Sequence, residues 1–308
     1  MNNIMLNNSF AFEPHTIKIA NHLTIYSESL GNVLNKPLLL IAGAGRSRIF
    51  WTDSFCKKLA QSGFFIIRYD ARDIGKSSKI DFEKYPYFLN DMVEDVLQIL
   101  DHYNIDKAHI MGSSIGGFVA QVLASNHKTR VKSLTLVGTS LDDTNFMLML
   151  LGKEPSDKYL PGPSVDYFNR AFAIGKLPIS TETEKQAKWF ENSKFYFGEK
   201  VVENYFDNFL DLYNQLKQNP SDLAPSLNHK YAMSKNVDRT NLAKNITVPT
   251  LILHGDKDES FSLKHVYHML KNIQNSKLFI IKDMKHFICW PFEDEVIDIL
   301  KNNKANLQ

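Results

Sequence analysis

Six residues constrain this chain most: Gly112-Ser113-Ser114-Ile115-Gly116-Gly117, set between a short strand signal at Ala108–Met111 and a helical signal from Ile115 to Asn126. Gly112 and Gly116 flank Ser114 in a G-x-S-x-G spacing, whereas Ser113 has Met111 and Ile115 at the same offsets. A serine at the tip of a sharp strand-to-helix turn adopts strained backbone angles, so its neighbours two positions away must lack side chains. Strain of this kind costs roughly 1–3 kcal/mol and persists only where the surroundings enforce it. The helix that follows turns its N-terminal amides and positive dipole end toward the serine. Two other glycine-rich loops fail. A phosphate loop needs Gly-Lys-Ser/Thr at its end, but Phe118 follows Gly117; a dinucleotide fingerprint starting at Gly43-Ala44-Gly45 meets Arg48 where its third glycine belongs.

The rest of the chain supplies the sheet that such a turn requires. Thr16–Ala20 and Leu23–Ser27 read as a leading hairpin with Asn21-His22 at its turn. Pro37–Ala42, Phe64–Tyr69, Ala108–Met111 and Val131–Gly138 are short apolar runs, as expected of strands covered on both faces. Helical spacing separates them at Trp51–Gln61 and Tyr87–Tyr103. The alternation stops near Leu141 and gives way to helix-like sequence rich in Phe, Tyr and Leu. It resumes with strands at Thr247–His254 and Lys277–Ile281 and helices at Leu263–Ile273 and Phe292–Asn302. The pattern predicts an α/β fold, a mostly parallel central sheet flanked by helices. Residues 1–140 and 246–308 are its core, and 141–245 an inserted helical cap.

The chain has 308 residues, 44% hydrophobic and 23% charged, with net charge +2. So small a charge gives no reason to expect nucleic acid as a partner. Met1–Phe10 is Asn-rich and lacks the basic and apolar regions of a signal peptide. No apolar run approaches the roughly 18 residues of a membrane span. Cys56 and Cys289 read as free thiols of a reducing compartment. A cytoplasmic monomer or homodimer acting on a small molecule, without stable membrane insertion, is the expectation.

A serine hydroxyl is a poor nucleophile until a base removes its proton. His286 follows the last strand signal and Asp258 the one before it. Both therefore fall at the carboxyl ends of strands, where ligand crevices of open α/β sheets lie. The order Ser114…Asp258…His286 is the one expected with a strand-to-helix nucleophile turn. Asp256 and Asp142 rival Asp258 as the acid, while His254, His265 and His268 read as packing or helix residues. Oxyanion donors are expected at the N–H of Ile115 and at Ala44, in the glycine loop after Pro37–Ala42. Asp70, Arg72 and Asp73 look like buttresses of nearby loop backbone rather than reactants. No metal motif such as HExxH occurs, so no metal or other cofactor is expected.

Four segments, Leu39–Trp51, Phe64–Ser78, Lys107–Gly117 and Val131–Val137, together resemble the α/β-hydrolase superfamily. Within it the chain is similar to esterases related to aclacinomycin methylesterase. The features are the Arg68-Tyr69-Asp70-x-Arg72-Asp73-x-Gly75-x-Ser77 segment, Tyr85-Pro86-Tyr87, and Asp106-Lys107-Ala108-His109. The resemblance covers the core and implies a cofactor-free carboxylic ester hydrolase with the triad Ser114, Asp258 and His286. It departs at Ile115, where these esterases often carry Met. A proline-releasing peptidase or a carbon–carbon bond hydrolase would use the same triad, and a ligand-binding member without catalysis, against which the intact triad counts, can keep one too. Phe146–Leu151, Phe168, Phe172, Trp189, Phe190, Tyr196 and Phe197 are candidates for either an apolar pocket or the cap's own core.

Overall fold

The structure, a computed structural model, describes residues 11–218, 228–235 and 237–303, so the Asn-rich Met1–Phe10 lies outside it. The first half folds as β1 (Glu13–Lys18), β2 (Thr24–Leu30), β3 (Lys36–Ile41), α1 (Asp53–Gln61), β4 (Phe64–Tyr69), α2 (Leu89–His102), β5 (Ala108–Ser113), α3 (Ile115–Asn126) and β6 (Val131–Val137). Helices follow: α4 (Thr144–Leu150), α5 (Val165–Gly175), α6 (Glu182–Phe197), α7 (Glu199–Asn204), α8 (Phe206–Lys217), α9 (Asn228–Met233) and α10 (Thr240–Ala243). The chain closes with β7 (Thr250–Gly255), α11 (Leu263–Asn272), β8 (Ser276–Ile281) and α12 (Trp290–Asn302). No described helix is long and apolar enough to cross a membrane.

The strands form one sheet in the order β1-β2-β4-β3-β5-β6-β7-β8. β2 pairs antiparallel with β1 and β4, and every pairing from β4 to β8 is parallel. After β3 the chain steps to one side to make β4, then crosses to the other side to make β5. The connections leaving β3 and β5 therefore diverge, and the crevice between their carboxyl ends is where such sheets bind ligands. Period-two alternation sorts the strands between two cores. Leu39 and Ile41 of β3 face one, with α2 and α3; Leu38 and Leu40 face the other, with α1 and α12.

Several boundaries differ from the sequence reading, β1 among them, at Glu13–Lys18 rather than Thr16–Ala20, and three have an identifiable reason. β2 runs on through the polar Ser27-Glu28-Ser29, because pairing of Ser27–Leu30 with β4 satisfies its backbone and Arg48 and Arg68 neutralise Glu28. α1 begins at Asp53 because the Thr52 hydroxyl caps it, accepting from the Phe55 N–H at 3.1 Å. β7 begins at Thr250, since Pro249 has no N–H to give the ladder.

The helical stretch leaves and rejoins the sheet at one place. Arg239 N–H donates to the Leu141 carbonyl at 2.7 Å and Asp143 N–H to that of Val237 at 2.9 Å. The fully buried Arg239 also donates to Asp143 Oδ1 at 2.7 Å and Gln121 Oε1 at 3.0 Å, over the Phe118 ring. Truncating it strands a buried carboxylate. Arg239→Ala is expected to destabilise the fold by about 3–5 kcal/mol, read as a lower urea midpoint, and Asp143→Asn in the same chain to restore part of the loss.

Candidate active site

Ser114 occupies the turn between β5 and α3 with φ 53° and ψ −119°, a conformation L-residues avoid. Backbone contacts hold it there. Its N–H donates to the Val137 carbonyl at 2.9 Å, and its carbonyl accepts from the Thr139 hydroxyl and the Gly117 N–H, both at 2.9 Å. The glycines are required by close approach. A Cβ on Gly112 would stand 2.3 Å from the Gly116 carbonyl oxygen, and one on Gly116 would stand 2.3 Å from that of Ile41. From Ala108 to Ser125 every residue is buried except Ser114. Ser113, one residue away, is fully buried, so the G-x-S-x-G frame picks out the accessible serine.

His286 and Asp258 lie on the loops after β8 and β7. Asp258 Oδ2 accepts from His286 Nδ1 at 2.8 Å, and the carboxylate side chain is fully buried. Oδ1 accepts from the N–H groups of Ser260 at 2.7 Å and Phe261 at 3.2 Å. Burial alone would raise the Asp258 carboxyl, but the His286 imidazole, His254 and the Ser260 amide outweigh it and hold it below its ordinary value. An ionised carboxylate accepts only, so Nδ1 carries a proton toward Asp258, and the neutral tautomer of this ring has its lone pair on Nε2. Ser114 and His286 share a neighbourhood. The strand end Val137–Gly138 takes the Ser114 N–H and lies against the His286 backbone, and a Cβ on Gly43 would lie 3.4 Å from Ser114 Cβ and 3.5 Å from the Phe287 ring.

The loop after β3 meets Ser114 because β3 pairs with β5, Ile41 opposite Gly112. Among the described residues the N–H groups of Ala44 and Ile115 donate to no protein acceptor, and that of Ile115 opens α3, where a helix has no partner to offer. Two supports fix this loop. Asp70 accepts from the Arg48 N–H at 2.7 Å, the Arg48 guanidinium at 3.0 Å and the Lys76 N–H at 3.0 Å, and Glu28 ties Arg48 to Arg68. His229 of α9 accepts from the Gly45 N–H at Nδ1, 3.3 Å, and donates from Nε2 to the Arg72 carbonyl at 2.9 Å. Asp73 is also a buttress, taking the Ile80 N–H and the Tyr87 hydroxyl; Arg72 instead pairs with Asp95 of α2.

The rival residues are committed elsewhere. Asp142 accepts from Thr144 and from the Leu160 N–H, and Asp256 from the Asp283 N–H. His254 Nε2 donates to the Phe261 carbonyl at 2.8 Å, and His265 Nε2 to that of Pro161 at 2.8 Å. His268 sits on α11 beside Thr240. Of the aromatic candidates, Phe168 packs with Tyr167 and Phe195 in a small core of the helical stretch, Phe172 is exposed, and Tyr196 lies tilted against His286 at 5.9 Å between centroids. Tyr167 of α5 was legible only as an aromatic, yet its hydroxyl lies 2.9 Å from Ser260 Oγ, next to the amide that holds Asp258. His229, which bears no motif, gave no signal at all.

A parallel sheet with this switch point, a strained serine beside it, and a histidine–carboxylate pair on its last two loops define the class of α/β hydrolases. The chain belongs to that family, described as the alpha/beta hydrolase fold, whose pattern matches residues 36–292. It is 31% identical over 274 residues to rhodomycin D methylesterase DauP of Streptomyces sp. (strain C5), covering 86% of this chain and 90% of that one. It is equally similar, 31% over 275 residues, to rhodomycin D methylesterase DnrP of Streptomyces peucetius. The likeness to methylesterases thus runs beyond the four core segments that carry the resemblance. Among solved structures, esterase EaEST from Exiguobacterium antarcticum shares the fold with a TM-score of 0.72 at 20% identity, covering 94% of this chain and 98% of that one.

His229, His254 and His265 are each held below the ordinary value of 6.5, in every case chiefly by burial. They stay neutral in the fold but take up protons once unfolded, so the stability they contribute is full above the ordinary value and lost as pH falls through the depressed ones. The thermal midpoint is expected to hold from about pH 8 to 7 and decline below about 6.5, with a shallower decline in His229→Gln. A midpoint flat down to about pH 5 would contradict this assignment.

Proposed function

We propose that the chain is a carboxylic ester hydrolase working through an acyl-enzyme on Ser114. The single observation that carries the reading is the strained Ser114, alone accessible in a buried run from Ala108 to Ser125. Strain at a position open to solvent has no packing benefit and is kept where it serves a reaction. The identity to methylesterases supports an ester as the bond cleaved.

In this mechanism His286 Nε2 takes the hydroxyl proton as Ser114 Oγ attacks the ester carbonyl. Asp258 fixes the tautomer and stabilises the imidazolium that forms. The oxygen of the tetrahedral intermediate is received by the N–H groups of Ala44 and Ile115, each such donor worth about 3–4 kcal/mol of barrier lowering. His286 returns the proton to the departing alcohol. It then activates a water that attacks the acyl-enzyme, releasing the acid and regenerating Ser114. The described helices of the 141–245 segment act as a cap over the crevice, with Tyr196 against His286. The reaction needs no metal or other cofactor.

Short-chain p-nitrophenyl esters test the proposal. Ser114→Ala is expected to lower kcat by on the order of a million-fold with an unchanged melting temperature, and Asp258→Asn to lower kcat by about ten thousand-fold. Turnover by Ser114→Ala equal to that of the wild type would sink the nucleophile assignment. Turnover by neither, with no fluorophosphonate labelling of Ser114, would sink the enzyme reading.

A further inference from the structure

The sequence has seven arginines. Six are ion-paired: Arg48 with Glu28 and Asp70, Arg68 with Glu28 and Asp53, Arg72 with Asp95, Arg130 with Asp101, Arg170 with Asp166 and Glu259, and Arg239 with Asp143. Arg46 is the exception. Among the described residues no carboxylate pairs with it, and its one hydrogen-bond acceptor is Asn192 Oδ1 of α6, 2.8 Å from Nη2. A guanidinium carries five N–H donors, so most of its capacity is unspent. Arg46 is nevertheless drawn in rather than extended into water. It is half-buried, with its Cζ 5.2 Å from the centre of the Tyr196 ring and 5.4 Å from that of Phe287. Withdrawing a charge from water without a counter-ion is costly, and a chain that pairs its other six arginines had the means to avoid it.

Its position gives the cost a purpose. Arg46 is on the loop that carries Ala44. The Phe287 ring beneath it lies 4.4 Å from the His286 ring and reaches Gly43 beside Ser114, and Tyr196 packs on Phe287 at 5.3 Å and lies 5.9 Å from the His286 ring. The two rings that seat the guanidinium are therefore the same two that flank the His286 imidazole. We propose that Arg46 receives a carboxylate carried by the substrate, making the preferred substrate an ester with a free carboxylate a few bonds from the scissile carbonyl, such as a monoester of a dicarboxylic acid. A planar fork matches the two oxygens of a carboxylate, Asn192 fixes the plane of the fork, and the two rings line the path of the short apolar spacer. The inference deepens the ester-hydrolase reading and rests on it.

The test compares mono-p-nitrophenyl glutarate with a p-nitrophenyl ester of matched length ending in an uncharged branched alkyl group. Wild type is expected to favour the anionic ester by about tenfold or more in kcat/KM at low salt, the preference shrinking as ionic strength rises. Arg46→Gln is expected to remove that preference mainly through KM, and Arg46→Lys to retain part of it. A wild type indifferent to the charge, or an Arg46→Gln that slows both esters by the same factor, overturns the proposal and leaves Arg46 a packing residue. Binding is read separately by calorimetry, titrating the Ser114→Ala protein with glutarate. Saturable binding weakened about tenfold by adding Arg46→Gln supports the site even if no ester is hydrolysed, in which case the ester reading alone has failed. Ester hydrolysis without glutarate binding fails the Arg46 site alone.

Discussion

Everything at the centre of this protein depends on how closely α3 approaches the end of β3. Gly116 lies so near the Ile41 and Ala42 carbonyls that a single Cβ would collide with both. That contact forces the sharp turn at Ser114, holds its φ positive, and brings the Gly43–Arg46 loop alongside. The same approach explains why α3 is buried on every side from Ile115 to Ser125, sandwiched between the sheet and its neighbours. The turn is strained, but the strain is spread over hydrogen bonds from β6 and Thr139, so that nothing local has to bear it alone.

Around that turn the structure manages buried charge by pairing. Glu28, Arg48, Arg68 and Asp70 form a network under the loop after β3, and Arg239 with Asp143 closes the base of the helical stretch. Asp258 is treated differently. It is surrounded by donors, not by a fixed cation, and so retains a strong field for the neighbouring imidazole. Arg46 is the mirror case, a cation to which the described residues supply ring faces and one amide oxygen but no anion. A cation seated beside the His286 imidazole in this way selects among substrates by charge, which apolar walls alone do poorly.

The parts of the site that could be read from the sequence are those whose chemistry is local. Ser114 is marked by its flanking glycines and the strand and helix on either side, and His286 by its place after the last strand signal. Asp258 carries no such mark, because Asp256 and Asp142 also follow strands and spacing alone does not separate them. The separation comes from hydrogen bonds over long sequence distance: Asp256 is taken by Asp283, Asp142 by Thr144 and Leu160, and Asp258 by His286. His229 was invisible, since it reaches the loop after β3 from 184 residues away.

The sequence by itself determined the secondary structure of the core, the two-faced burial of its strands, the accessible serine and the family. These follow from apolar period and from glycine spacing, which act over a few residues. Only the tertiary structure decided the sheet order that sets the loop after β3 beside Ser114, the extension of β2 through Ser27-Glu28-Ser29, and the aromatic seat of Arg46 between core and helices. Those depend on which strands and helices become neighbours. A side chain's counter-charge, tautomer and burial are properties of its neighbours in space, and the crossovers of a parallel sheet draw those neighbours from distant parts of the chain.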